Sequence, residues 1–161
     1  MIQRIQTLYL SLTVILCGLM FALPMALFKI TEPGKHLLYQ FNLTGMSDAI
    51  THVDIAVKNT LYLQLLVLMI AGGAVACIFL YKNRSLQFNI CRINHLLSFL
   101  LVGALYFVIE SDVKASYGSD SVSVVYLPAG YFPPLIVILL YLAARGIKKD
   151  DDLVKSSDRL R

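Results

Sequence analysis

Cys17, Cys77 and Cys91 are the chain's thiols, and no two of them form a Cys-x-x-Cys pair. Each lies in an apolar run and none lies in an outer loop. A structural disulfide or a redox dithiol is therefore not expected, and the three read as small buried hydrophobes. Cys17 also invites comparison with a lipidation signal, but Leu16 stands where that signal needs a small residue. His36 and His52 lie near Glu32, Asp48 and Asp54, a donor set that suits zinc in type. Their spacing matches no compact metal motif, so no metal is expected. His95 sits close to Arg92, Asn94 and Ser98 inside an apolar run. A histidine there would serve as a haem ligand or proton carrier. No second histidine falls within such a run, and a polar cluster with Arg92 is the expected role.

The carboxylates add little. Glu110 and Asp112 stand at the end of one apolar run, and the other runs hold no interior Asp or Glu. Proton-coupled export normally uses an acidic residue deep in a span, so that class is disfavoured. No Ser-His-Asp order, phosphate loop or intramembrane protease motif is present, and no enzyme or cofactor is expected. Nucleic-acid binding is not expected either, because the basic residues are accounted for by topology.

The elements that would position these residues are four apolar runs, over about 5–28, 60–81, 89–109 and 128–147. The chain has 161 residues, 58% hydrophobic and only 15% charged, against roughly 25% charged in soluble domains. Its mean hydropathy is +0.71. Helices of about 20 residues cross a hydrocarbon core of roughly 30 Å, and lipid requires each backbone to satisfy its own hydrogen bonds. The first run is too long for a cleaved signal and lacks a clean small-x-small site. It is expected to remain as an anchor. Pro133 and Pro134 predict a bend near the start of the fourth helix, with Gly130 loosening its start.

Charge sets the orientation. Arg4, Lys82, Arg84, Arg92, Arg145, Lys148, Lys149, Lys155, Arg159 and Arg161 fall on one side, and Lys29, Lys35, Lys58 and Lys114 on the other. Ten against four places both termini in the cytoplasm. The two outer loops hold alternating stretches, from Tyr39 to Thr44 and from Ser121 to Tyr126, which predict strands. The loops are expected to pair as a small extracytoplasmic sheet. Gly18, Ala22 and Ala26, Gly72 to Ala76, and Gly103 with Ala104 provide small residues for a helix seam, internal or between copies. In the tail, 148–161, Asp150 is positioned to cap a short helix and Asp151 to pair with Lys155.

Three stretches carry a resemblance. Met1-Ile-Gln-Arg-Ile-Gln-Thr7, Tyr81-Lys-Asn-Arg-Ser-Leu-Gln87, and Ile147-Lys-Lys-Asp150 with Leu153-Val-Lys-Ser-Ser-Asp-Arg-Leu-Arg161 resemble an uncharacterised family of small four-span membrane proteins from Bacteroidota. The resemblance covers essentially the whole chain. It implies a bacterial inner membrane and cytoplasmic termini, and supplies no activity.

The expected protein is an all-α membrane protein of one domain, 1–161. Its form is an up-down four-helix bundle with a small outer sheet. The leading functional expectation is a non-enzymatic accessory or scaffold subunit. Gln3, Arg4, Gln6, Lys82, Arg84, Asp158 and Arg159 form its polar cytoplasmic surface, for another membrane protein or an anionic lipid. The alternatives are a small redox or haem protein centred on His95, and a small dimeric transporter.

Overall fold

Pro24 has no N–H to continue a helix, and its ring crowds the preceding turn. Helix α1 (Ile2–Ala22) accordingly stops just before it. The computed structural model describes residues 2–32, 35–49, 54–55, 60–81, 83–112 and 122–159. After α1 the chain passes through residues 23–25 straight into strand β1 (Ala26–Glu32). The sequence reading ran the first helix on to Phe28. A short apolar run has no periodicity to separate strand from helix, and here the proline decides.

β1 is the organising strand. It is followed by β2 (Lys35–Asn42), β3 (Gly45–Asp48) and β4 (Asp54–Ile55), and much later by β5 (Val122–Tyr126). The sheet is antiparallel with order β4-β3-β2-β1-β5. The expected strands of the two loops thus share a sheet, but they do not touch each other. Both pair with β1. Met25 continues this arrangement past the strand end. Its N–H donates to Phe41 O at 2.8 Å, and its carbonyl accepts from Leu127 N–H at 2.9 Å. Ala26, Phe28, Phe41 and Met46 are buried, with Phe28 edge-on to Phe41 at 6.5 Å between ring centroids.

Three more long helices follow: α2 (Leu61–Phe79), α3 (Arg84–Phe107) and α4 (Phe132–Arg159). α3 runs into a π-helical turn, Val108–Asp112, and a 3-10 turn, Pro128–Tyr131, leads into α4. Pro133 and Pro134 fall in the first turn of α4, where missing N–H groups leave no bond unmade. α4 is unbroken to Arg159, so Asp150 stands inside it and caps nothing.

α1 packs on α2 and α4, and α3 packs on the same two helices. The sheet closes one end of this bundle. The Gln64 side chain on α2 donates to Leu43 O at 3.3 Å, and Tyr106 on α3 donates to Gly130 O at 3.0 Å. The start of α1 and the end of α4 lie at the other.

All four helical segments are long and apolar enough to cross a membrane. Their outer faces are apolar, unlike those of a water-soluble bundle, and a few polar side chains are packed inside. Phe79, Leu96 and Phe107 are 74%, 67% and 69% exposed, while Gln6, Thr13, Gln87, Asn94 and Ser98 are buried. The small residues divide. A side chain at Gly18, Gly72 or Gly103 would meet open space, so these do not line a seam within the bundle. At Gly73 it would meet the Asn94 amide, within 3.1 Å. That position is a close contact between α2 and α3.

Candidate functional site

At the end of the bundle away from the sheet, all four helices contribute to one pocket of about 340 Å³. α1 supplies Gln6 and Thr7 from its first two turns. α2 and the residues after it supply Ile78 and Tyr81. α3 supplies Arg84 and Gln87, and α4 supplies Ile147 and Asp150. Glutamines at positions 6 and 87 turn inward because the bundle's outer faces are apolar.

Among the described residues the pocket holds one ion pair. Arg84 Nη1 lies 3.5 Å from Asp150 Oδ2 and donates to the Asp150 carbonyl at 3.1 Å. Both side chains are partly shielded, at 28% and 18% exposed. The Gln87 amide donates to Cys77 O at 2.9 Å, and the Cys77 thiol lies 3.7 Å from Gln87 O. Gln6 differs. It is 4% exposed, and its Nε2 has no hydrogen-bond partner among the described residues. Gly146 makes room for it, since a Cβ there would lie 2.9 Å from Gln6 Cγ. The lining therefore carries one positive charge, one negative charge and a buried amide donor without an acceptor.

Of the residues expected on this surface, Gln6 and Arg84 face the same pocket. Gln3 and Arg4 begin α1, and Asp158 and Arg159 end α4. Their side chains lie outside the described residues, as does Lys82 entirely. Sequence reasoning did not place Asp150, Gln87 and Tyr81 in the same pocket as Gln6. Arg84 and Asp150 are 66 residues apart, and only the packed register of α3 on α4 brings them together.

The three cysteines are free and buried. The Cys77 thiol on α2 is directed at Gln87 O on α3, and the Cys91 thiol on α3 lies 3.7 Å from Leu140 O on α4. Asn94 donates to Ile70 O at 2.9 Å across the seam between α2 and α3. His95 packs edge-on to Phe99 at 5.0 Å and lies 6.0 Å from Tyr141. His52, and the side chains of His36, Glu32 and Asp54, lie outside the described residues. No cluster of three metal-binding side chains occurs among those described.

A second polar group lies beside the sheet. Tyr106, Tyr126 and Tyr131 pack in sequence at 5.4 and 6.5 Å between centroids. Tyr126 donates to Glu110 Oε1 at 3.1 Å. Burial, and then the Glu110 carboxylate that accepts its proton, push the Tyr126 phenol up to about 12. The folded state thus holds this proton longer than the unfolded chain does. Stability falls as pH rises from about 10, and this contribution levels off near 12. Phenolate absorbance at 295 nm, compared between the native protein and Tyr126→Phe, should show one tyrosine titrating late. Glu110→Gln should bring that titration to lower pH. An unshifted curve in Glu110→Gln would remove the carboxylate from the account.

The family model described as Domain of unknown function (DUF4293) matches residues 2–160. No curated protein matches the chain.

Proposed function

This chain belongs to the DUF4293 family, and from that premise we propose that it is an integral protein of a bacterial cytoplasmic membrane. In this reading it is a non-catalytic accessory subunit with both termini in the cytoplasm. The observation that carries it is the polarity of the bundle. Large apolar side chains face outward over four span-length helices, while glutamine and asparagine are packed inside. That distribution suits lipid around the helices and would leave a wide apolar surface wet in water. The ten-to-four split of basic residues supports the orientation. The end bearing the Gln6–Arg84–Asp150 pocket then faces the cytoplasm, where it is available to another membrane protein.

Affinity purification of the full chain in mild detergent tests this. A stoichiometric partner is expected with the native sequence and is lost on charge reversal in Arg84→Glu. Exchanging the pair, Arg84→Asp with Asp150→Arg, restores the ion pair and should keep the bundle folded while still losing the partner. Undiminished co-purification in both variants would overturn the proposal.

A further inference from the structure

The pocket's own chemistry narrows what enters it, resting on the reading that this end faces the cytoplasmic leaflet. Gln6 Nε2 is a buried donor without an acceptor among the described residues. A buried amide in that state favours any ligand that brings an oxygen. Arg84 spends one nitrogen on Asp150 and retains further N–H groups for the same oxygen. A simple anion would meet the Asp150 carboxylate within the same small space, and like charges in a partly buried site repel. A simple cation would suit Asp150 but leave the Gln6 amide as it is. The lining asks for both signs in one compact group.

We propose that the pocket binds a phosphoethanolamine-type zwitterion, with its phosphate oxygen on the Gln6 amide and the Arg84 guanidinium and its ammonium on the Asp150 carboxylate. The volume, about 340 Å³, is at the small end of ligand pockets and holds a headgroup without acyl chains. Its depth also fits. Tyr81, Arg84 and Asp150 stand where the apolar stretches give way to charge, and Tyr81 is an exposed aromatic at that level.

Native mass spectrometry of the purified full chain, titrated with phosphatidylethanolamine or phosphatidylglycerol, is the test. The native protein should retain phosphatidylethanolamine about tenfold better. Asp150→Asn should reverse the preference, because the repulsion of a pure anion is gone. Gln6→Leu should weaken both, and Gly146→Ala, which presses on Gln6, should do the same with a smaller change at the site. Glycerophosphoethanolamine added as competitor separates the sources. Displacement of the lipid means that the headgroup alone suffices and a soluble zwitterion can be the ligand. Persistence of the bound lipid assigns the membrane as the source. A native preference for phosphatidylglycerol, or retention of neither lipid above the Gln6→Leu level, would overturn the proposal. The partner co-purification described above is scored separately, so either reading can fail without the other.

Discussion

Gly130→Ala is expected to destabilise the protein by about 2–3 kcal/mol, the upper part of the range for overpacking a tight site. A Cβ at this position would lie 2.7 Å from the Met25 carbonyl oxygen. That oxygen has nowhere to go. Met25 is held on one side by its N–H bond to Phe41 O and on the other by the Leu127 N–H it accepts. Gly130 is itself held, because its N–H donates to Leu127 O and its carbonyl accepts from Tyr106. The methyl group must therefore separate the start of β1 from the turn that begins α4, or break the bonds on one of them. Thermal unfolding in a mild detergent should report a melting temperature lower by roughly 5–10 °C for a chain of this size. An unchanged melting temperature would mean that the 3-10 turn yields freely, contrary to its bonding.

The second large effect is a contrast between adjacent glycines. Gly73→Ala is expected to cost about 1–2 kcal/mol, while Gly72→Ala should fall within about 0.5 kcal/mol of neutral or stabilise slightly. Both residues lie on α2, and both substitutions improve helix propensity equally. Only their surroundings differ. At Gly72 a Cβ meets nothing within 4 Å. At Gly73 it meets all three amide heavy atoms of Asn94 at 2.9–3.1 Å. Asn94 can retreat only by giving up its 2.9 Å bond to Ile70 O, which would leave a buried amide unsatisfied on both atoms. Comparing the two variants by reversible unfolding isolates that contact. Adding Asn94→Ala to Gly73→Ala should recover part of the loss, since the methyl then has room. Equal stability of the two glycine variants would refute the lock between α2 and α3.

The four helices were legible because span-length apolar runs ending in charge have few other physical solutions. β1 was not. Ala26, Leu27 and Phe28 continue the apolar run of α1, and only Pro24 separates the two states. The strands near Tyr39 and Val124 showed by alternation, but their common neighbour did not. Half of the pocket could be anticipated in the same way. Gln6 and Arg84 are polar residues at the ends of apolar runs. Asp150 looked like the cap of a separate tail helix, because nothing local tells that α4 continues. Gly18, Gly72 and Gly103 show the limit of spacing arguments. Small residues four apart permit close packing, but the face they occupy depends on helix rotation, which the neighbours set.

The position of β1 between β2 and β5 also bears on the order in which the molecule can be made. β2 follows β1 at once, so that half of the sheet can zip as a hairpin. The other edge of β1 has to wait, because 94 residues separate Lys29 from Ser123 across that pairing. At ordinary synthesis rates of about 5–20 residues per second, the delay is roughly 5–20 s. For that interval β1 presents an open row of backbone donors and acceptors, the template on which strands of other molecules pair. The arrival of β5 fills that row, and α2 and α3 must already have been made by then. The last strand thus works as a closing latch, and truncated nascent chains that end before it would be the ones prone to wrong pairing.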